Sequence, residues 1–144
     1  MMAADASRLN AEQCWSLLKR QEVGRLAYHE GSRVQIVPIN YAVDGQRVVF
    51  RTTKGSKLTN LLVNPDVALE VDEVEGSTAS SVVVRGKARE VGQKEALMAD
   101  QLRLRPWVRD ATTGHVVTID VVELSGRSFE LSRPWTSMLQ DRAV

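Results

Sequence analysis

The sequence predicts a mainly β chain, in which one antiparallel sheet closes into a small barrel with peripheral helices on its outside. Two observations predict this fold class. About seven short segments are rich in Val, Ile, Tyr and Phe and are separated by turn residues such as Gly, Asp and Ser. The links between consecutive segments are of hairpin length, and closing such a sheet removes the exposed edges that it would otherwise carry.

The first half of the chain is predicted to start with a helix and to continue as a three-stranded meander. Residues 9–20 form the helix, with Asn10 as its N-cap and Gln13 completing a capping box. The three strands cover residues 23–29, 34–42 and 47–53. Asp44-Gly45 joins the last two, because an Asp-Gly pair between apolar runs favours a tight hairpin turn.

The second half begins with a short helix over residues 57–63, for which Ser56 is available as the N-cap. Strands over 67–74 and 81–91 follow, and then a second substantial helix over 94–104 that stops at Pro106. Two last strands, over 115–124 and 127–131, are predicted to join around Ser125-Gly126.

Length and composition indicate one globular domain over residues 1–144, with residues 1–8 and 133–144 as loosely ordered tails. The chain has 144 residues, is 43% hydrophobic and 26% charged, and carries a formal net charge of +1. Such a chain buries roughly two thirds of its unfolded surface, which is enough for one core. The balanced charge gives no general attraction to nucleic acid or to anionic lipid, so neither is expected as a partner.

The single cysteine indicates a reducing compartment. Cys14 has no partner for an internal disulfide, and no CxxC or Cys/His cluster is present to bind a metal. No stretch approaches the roughly 20 apolar residues of a membrane span, and the first residues lack a signal pattern. We therefore expect a cytoplasmic protein with no metal site and no membrane partner, in which Cys14 is a small buried hydrophobe.

Common enzyme motifs are absent from the sequence. It contains no GxSxG, Walker, GxGxxG or HExxH pattern, so the usual forms of nucleophilic, phosphoryl-transfer and zinc chemistry have no support. The two histidines, His29 and His115, lie at the ends of predicted strands and are expected at the surface. No catalytic side chain is assigned.

Residues 48–58 form the most informative stretch. A strand delivers Arg51 and Thr52, and after Gly55 the chain turns so that Ser56 and Lys57 stand at a helix N-terminus. Two cations, two hydroxyls and free backbone N–H groups would converge there on a phosphate. The alternative is that Ser56 only caps the helix and that the cations form a solvated rim.

Just upstream, an apolar strand contains Pro38, which cannot donate to a β-ladder. Such a proline marks either an ordinary edge strand or a place where a ligand meets the backbone. A planar ligand lying along this strand, with its phosphate held by the next strand, fits the predicted hairpin.

Five short motifs follow one another between about residue 12 and residue 131. They are VGRLA at 23–27, VPINY at 37–41, VFRT with GSKL at 49–58, ALEVD at 68–72 and VRGKA at 84–88. In this order they resemble the pyridoxamine 5′-phosphate oxidase-like, FMN-binding split-barrel family, in particular its short bacterial members. The resemblance implies an antiparallel split β-barrel that is a homodimer, with flavin sites between the subunits.

The resemblance also implies which residues hold FMN. The phosphate would be bound by Arg51, Thr52, Ser56 and Lys57. The isoalloxazine ring would lie along Ile36, Val37, Pro38, Ile39, Asn40 and Tyr41, which line it with backbone groups. The activity implied is an FMN-dependent oxidoreductase that passes electrons or hydride from a reduced nicotinamide to a small-molecule substrate.

The sequence departs from the family pattern in three places. Leu58 stands where the oxidases proper commonly carry a second basic residue, and Ala79-Ser80-Ser81 stand where short relatives usually have Gly-Trp-Ser. Trp107 is the candidate to compensate, from the partner subunit. The long basic C-terminal segment of the true oxidases has no counterpart, so pyridoxamine phosphate oxidation itself is not expected.

Three alternatives stay open at this point. A deazaflavin cofactor would need extra basic residues to meet its acidic tail, and Lys54, Arg85, Lys87 and Arg89 could supply them. Haem would need His29 or His115 as an axial ligand. The third alternative is a barrel that has lost its cofactor and serves as a dimeric interaction or regulatory module.

Overall fold

The computed structural model describes residues 6–92 and 114–132. Within them it contains seven strands and two helices, as the mainly β prediction requires. In chain order these are β1 (Ala6–Arg8), α1 (Ala11–Arg20), β2 (Val23–Glu30), β3 (Arg33–Asp44), β4 (Arg47–Thr52), α2 (Ser56–Val63), β5 (Asp66–Glu75), β6 (Thr78–Glu90) and β7 (His115–Glu130).

All seven strands belong to one antiparallel sheet that closes on itself. The order of hydrogen-bonded neighbours is β1-β7-β4-β3-β2-β5-β6, and β6 also pairs with β7. Six strands therefore form the barrel, and β1 adds to the outside of β7. The prediction of a closed antiparallel sheet with helices outside it is confirmed, and the arrangement is that of a split barrel.

Each of the three hairpins turns on a glycine. Gly31, Gly45 and Gly76 have φ values of 60°, 61° and 61° and are each the first residue of a two-residue loop. This left-handed conformation costs a glycine little. The prediction for Asp44-Gly45 was wrong by one residue, because Asp44 pairs with Arg47 as the last strand position and the loop is Gly45-Gln46.

The two predicted C-terminal strands are one strand, β7, which runs through Ser125-Gly126 without a turn. The reason for the glycine is packing. A Cβ on Gly126 would lie 2.7 Å from Cys14 Sγ and 3.1 Å from Leu9 Cδ1. Gly126 therefore lets α1 approach the strand. The glycine that suggested a turn is required instead by a close contact between distant segments of the chain.

Helix α1 has the capping box that the sequence predicts. The Gln13 N–H donates to Asn10 Oδ1, and the Asn10 N–H donates to Gln13 Oε1, both at 2.8 Å. Cys14 lies in the core with Leu17 and Leu18, and burial raises the pKa of its thiol. At the other end of the helix, the Tyr41 hydroxyl donates to the Leu18 carbonyl at 2.7 Å and satisfies a carbonyl of the last turn.

The core fills the barrel and extends under both helices. Its fully buried side chains are mostly branched aliphatics from alternate strand positions. Phe50 is the largest of these, and it is joined by Leu26, Leu69, Val84 and Ile119, all at 0% exposure.

The terminal predictions have mixed outcomes. Residues 6–8 are not a loose tail, since they form β1 and pair with β7 from Ala6–Phe129 to Arg8–Arg127. The predicted helix over 94–104, Trp107 and the tail over 133–144 lie outside the described residues. No helix in the part of the chain that is described is both long and apolar enough for a membrane span.

Candidate functional site

The barrel opens between β3 and β4. Their pairing has only four residue pairs, from Asp44–Arg47 to Tyr41–Phe50. The next pair in register would be Asn40 with Arg51, but β3 continues along β2 and β4 continues along β7. We call this opening the split, and it lies between residues 36–40 of β3 and residues 51–57 at the end of β4 and the start of α2.

One side of the split is a strand edge that pairs with no other strand of the described residues. The Tyr41 N–H donates to the Glu22 carbonyl at 3.0 Å, so the backbone groups of Tyr41 point toward the β2 side. Backbone groups alternate along a strand, and those of Ile36, Pro38 and Asn40 therefore point into the split. Pro38 has no N–H to leave unpaired there, which is why a proline is tolerated.

Side chains alternate along the same edge. Val37, Ile39 and Tyr41 face the core, and Ile39 and Tyr41 are 4% and 3% exposed. Ile36, Pro38 and Asn40 face outward, and Ile36 is 65% exposed. Of the six residues predicted to line a ring, only these last three present both side chain and backbone to a ligand. Val37, Ile39 and Tyr41 support the strand from within.

The other side of the split starts at the end of β4. Arg51 is half-buried, and it makes a polar contact within the fold. Thr52 is buried and pairs in register with His115 of β7. Its hydroxyl makes only a long 3.5 Å bond to the Thr53 carbonyl. The predicted phosphate residues Arg51 and Thr52 thus lie at the opening, with Arg51 next in register to Asn40.

The first turn of α2 completes this side. The prediction that Ser56 caps the helix was wrong, because Gly55 occupies the N-cap position and Ser56 is already helical. Gly55 has no side chain, so no side-chain hydrogen bond caps this end of the helix. The first-turn N–H groups are left for an anion, which the positive end of the helix dipole also favours.

Lys57 is the cation best suited to meet such an anion. Its side chain is half-buried, and burial lowers the pKa of its ammonium group. It makes no hydrogen bond or ion pair with any residue that the structure describes. A partly desolvated ammonium without a counter-charge is stabilised when an anion binds beside it.

The structure explains the missing second cation. Leu58 is 6% exposed and packs in the core with Leu61, so its side chain points away from the split. Its backbone N–H nevertheless belongs to the uncapped first turn. The replacement of a basic residue by Leu58 therefore removes one charge but leaves the backbone part of the cradle unchanged.

The basic residues proposed for an acidic cofactor tail are largely neutralised. Arg89 Nε lies 2.7 Å from Asp120 Oδ2, and Lys87 forms an ion pair with Asp66. Arg85 lies 4.0 Å from Glu123. Lys54, next to the cradle, is exposed. These ion pairs weaken the case for a long acidic tail, as a deazaflavin would carry.

The two histidines lie apart from each other. His29 is half-buried near the β2–β3 turn, and His115 Nδ1 contacts a carboxylate oxygen of Glu90. Among residues 6–92 and 114–132, no group of three or more His, Cys, Asp or Glu side chains could hold a metal ion.

Ser80, at the position of the family tryptophan, borders a groove. Its hydroxyl donates to the Ser128 hydroxyl at 3.2 Å, and the groove beside it has a volume of ≈ 480 Å³. Helix α1 forms the opposite wall with Gln13, Ser16 and Arg20. The small Ser80 side chain thus forms part of the wall of this groove.

Comparison with known proteins agrees with this architecture. The sequence profile of the pyridoxamine 5′-phosphate oxidase family matches residues 10–128. The chain belongs to this family. The match covers both sides of the split and all of the strands from β2 to β6.

Solved structures share the fold closely. A candidate pyridoxamine 5′-phosphate oxidase from Corynebacterium glutamicum is 35% identical, with a TM-score of 0.80 over 88% of this chain and 99% of that one. An FAD-binding protein from Mycobacterium smegmatis is 32% identical, with a TM-score of 0.75 over 87% and 99%. Family membership and fold thus rest on structures that match this chain nearly end to end.

An uncharacterized protein of Rhizobium meliloti is 31% identical over 84 residues. The aligned stretch covers 58% of this chain and 56% of that protein, so the chain spans little more than half of that relative's length.

The sequence analysis did not predict one feature of the outer face of the sheet. Ala27 and Ala68 lie side by side on the outer face of the sheet and form the floor of a second pocket. A single alanine in an alternating strand carries no signal, since only the strand register shows that the two are neighbours.

Proposed function

We propose that the protein is a homodimeric split-barrel flavoprotein that binds FMN in the split and reduces a small-molecule acceptor, with a reduced nicotinamide as electron donor. The observation that carries the proposal is the split itself. It sets an open strand edge, Ile36 to Asn40, opposite an uncapped helix N-terminus with Lys57. A planar ring and a phosphate on one ligand require these two surfaces together.

The residues present fit FMN well. The phosphate would meet the first-turn N–H groups of α2, the Ser56 hydroxyl and the Lys57 ammonium, with Arg51 alongside. The ring would lie on the outer side of Ile36 and Pro38, within reach of backbone groups directed into the split. Similarity to the FAD-binding protein of Mycobacterium smegmatis supports a flavin. Within the described residues the split has one anion cradle, and Arg85, Lys87 and Arg89 are engaged in ion pairs, which favours the mononucleotide over a cofactor with a longer acidic tail.

A second copy of the chain would complete the site. Val34 and Ile36 are 69% and 65% exposed on the outer face beside the split. Exposed aliphatic side chains of this size commonly mark a contact surface, and a two-fold dimer would bury both copies at once. The partner would cover the face of the ring that the split leaves open.

Flavin, when bound, supplies the hydride and electron transfer chemistry. The chain's own residues bind the flavin and shield its ring from water. Lys57 and the α2 N–H groups hold the phosphate end, the β3 edge orients the ring, and Ile36 and Pro38 exclude water from one face. The lone buried Cys14 agrees with the reducing cytoplasm in which we place the reaction.

The test is a fluorescence titration of the purified protein with FMN, compared with Arg51→Ala/Lys57→Ala. Two charge-assisted contacts are worth together about 3 to 6 kcal/mol as an upper range, so the dissociation constant should rise by roughly a hundredfold or more. The control is Lys19→Ala/Arg33→Ala, which removes the same two charges from exposed positions. It should bind FMN like the wild type.

Other outcomes are equally informative. Tight FMN binding by Arg51→Ala/Lys57→Ala would show that the phosphate is held elsewhere. The wild type could instead fail to bind FMN and bind FAD, a deazaflavin or haem, which flavin, deazaflavin or Soret absorption would identify. The bound molecule would then replace FMN as the proposed cofactor. A colourless protein that binds none of them would favour the interaction module.

A further inference from the structure

The groove beside Ser80 lies on the α1 side of the sheet, away from the split. Its volume is ≈ 480 Å³, within the range of small-molecule sites. Side chains alternate between the two faces of a strand, and Ser80 shares its face of β6 with the buried Val82 and Val84. Arg85 and Ile36 lie on the opposite, outer face. The groove is therefore separate from the surface that a second copy of the chain would cover.

The groove exists because α1 packs tightly against the sheet at one point and finds only small side chains at the next. At the tight point, a Cβ on Gly126 would lie 2.7 Å from Cys14 Sγ. Two positions further along β7, Ser128 pairs in register with Ser80, and their hydroxyls hydrogen-bond at 3.2 Å. These two small side chains do not fill the space beside the helix, so a groove remains between them and α1.

One face of α1 forms the opposite wall of the groove. Its lining residues there are Gln13, Ser16, Leu17 and Arg20, which are spaced as one side of a helix. Leu17 is 1% exposed and belongs to the core, and Leu9 packs against the same core. Both leucines line the groove. They give it an apolar surface, and a ring placed there would cover that surface and exclude water from it.

The polar groups that remain free in the groove are mainly hydrogen-bond donors. The capping box uses the amide oxygens of Asn10 and Gln13, each of which accepts a backbone N–H at 2.8 Å. The NH₂ groups of both side chains make no hydrogen bond with the residues that the structure describes. The Ser16 hydroxyl accepts a hydrogen bond from Arg20 Nη1 at 2.9 Å, so its own proton is free to donate. A ligand of this groove must therefore supply acceptors.

The charges in the groove favour an uncharged ligand. Arg20 donates to Glu73 through Nε at 3.1 Å and through Nη2 at 3.0 Å, so its charge is already compensated. Glu12 adds an exposed carboxylate to the lining. An anion would thus meet no uncompensated cation among the described lining residues. A neutral carbonyl oxygen accepts hydrogen bonds without this disadvantage.

We infer that this groove binds an uncharged, planar ring compound that carries carbonyl oxygens. The ring lies against Leu9 and Leu17. Its oxygens accept hydrogen bonds from the NH₂ groups of Asn10 and Gln13 and from the Ser16 hydroxyl. The inference does not rest on flavin binding, because the groove and the split share no residue.

The test is an amide NMR titration of the protein with quinazoline-2,4-dione, a flat bicycle with two carbonyl oxygens. We expect the largest shifts at Gln13, Ser16 and Ser80. The matched probe is quinazoline, which has the same ring without the carbonyl oxygens and should bind about tenfold more weakly. Added salt should leave the affinity for the dione unchanged, because the ligand is uncharged.

The variant Gln13→Glu tests the hydrogen bonds alone. The new carboxylate still accepts the Asn10 N–H, so the capping box is kept, but the NH₂ donor is lost. The dissociation constant of the dione should rise by about fivefold or more. Gln46→Glu makes the same change at an exposed loop position and should bind the dione like the wild type.

The variant Ser80→Trp tests the space. Its indole occupies the groove, and the dissociation constant should rise by about tenfold or more, because the two rings need the same volume. Ser32→Trp adds the same side chain to an exposed turn and should leave binding unchanged. A cooperative urea transition establishes that each variant is folded.

Shifts confined to residues 36–40 and 51–57 would place the probe in the split and overturn the inference. Equal affinity for the two probes, an unchanged dissociation constant in Gln13→Glu or in Ser80→Trp, or no binding by the wild type would overturn it as well. FMN titrations of the same two variants separate this result from the flavin proposal, since neither substitution lies at the split.

Discussion

The strand pairings on the two sides of the barrel, which we call its closed and open seams, differ sharply in length. On the closed side, β6 pairs with β7 from Thr78 to Glu90 and with β5 over ten positions. On the open side, β3 and β4 share only four pairs before they separate. Long strand pairing thus stabilises one side of the sheet, whereas strand edges are exposed on the other side. Backbone groups that remain unpaired on the open side are available to a ligand.

The split stays open for reasons visible in the residues that border it. If the β3–β4 ladder continued, Asn40 would face Arg51 and Pro38 would face Thr53. Pro38 cannot donate to such a ladder. The open edge also bears a proline and polar neighbours, features that protect a sheet edge from pairing with other chains.

The largest effect should follow from adding one methyl group to the closed seam. A Cβ on Gly86, at the β6 bulge, would collide with the Asp120 carbonyl oxygen. We expect Gly86→Ala to lower the free energy of unfolding by about 3 kcal/mol or more. Gly55→Ala, beside the split, should lower it by less than about 1 kcal/mol, because nothing lies within 4 Å of the added Cβ and only the N-cap preference for glycine is lost. Urea unfolding measures both, and equal effects would contradict the contrast between the seams.

Hydrogen exchange should trace the open edge residue by residue. The amides of Val37 and Ile39 point toward β2, whereas those of Ile36 and Asn40 point into the split. We expect the latter pair to exchange faster by a factor of about 100 or more, since opening a ladder costs several kcal/mol. NMR exchange rates without ligand test this. Uniform protection along β3 would mean that the edge is paired.

The boundary of the split is anchored by Tyr41. Its buried hydroxyl bonds the Leu18 carbonyl, and burial raises the pKa of the phenol well above its ordinary value. Tyr41→Phe leaves that carbonyl without its partner and should cost about 1.5 kcal/mol. Tyr28→Phe is the control, since Tyr28 is also buried but its hydroxyl has no hydrogen bond within the described residues. Thermal unfolding of both variants decides.

The two helix N-termini should respond differently to the loss of a polar side chain. Asn10→Ala removes a capping bond and should destabilise the protein by about 1 kcal/mol. Ser56→Ala removes no cap, because Gly55 holds that position, and should be nearly neutral. Chemical denaturation measures both losses of unfolding free energy. Equal losses for Ser56→Ala and Asn10→Ala would show that Ser56 does cap α2.

The smallest effect concerns acid stability. The hydrogen bonds from Arg20 hold the pKa of Glu73 below its ordinary value of 4.5. A carboxyl group with a lowered folded pKa adds stability above its unfolded pKa, and this stability is lost as the pH falls through the folded pKa. The exposed Arg20 limits it to about 0.5 kcal/mol. Glu73→Gln should therefore weaken the protein near pH 7 but not near pH 2, as urea unfolding at the two pH values would measure.

Much of the fold could be predicted from local signals. The capping box at Asn10, the short apolar strands and the hairpin near Asp44-Gly45, which was placed to within one residue, each depend on a few neighbouring residues. The predictions that failed concern features that depend on distant segments of the chain. Gly126 resembles a turn residue, yet the close approach of α1 requires it, and no local pattern reveals that the helix packs against this strand. The first eight residues also resemble a tail, although residues 6–8 extend the sheet.

The candidate site was predicted as a set of residues but not as a geometry. Arg51 and Lys57 were correctly placed at a strand end and a helix start. The helix start itself was misassigned by one residue, because serine is a preferred N-cap residue, whereas here Gly55, which also suits that position, is the N-cap. The relation between Asn40 and Arg51 follows from the register of β3 and β4. The sequence analysis placed the hairpin loop one residue too early, so it did not predict this register.

Strand β7 has a consequence for how the molecule is made. It bonds to β1, β4 and β6, and so it joins the first strand of the described chain to two strands from its middle. Contacts of such long sequence separation are slow to form, because the intervening chain must first be ordered. On the ribosome, β4 and β6 must wait with unpaired edges until residue 130 has emerged. The barrel therefore closes only after β7 has been made, and the interval before this closure is when the strand edges are most exposed to aggregation.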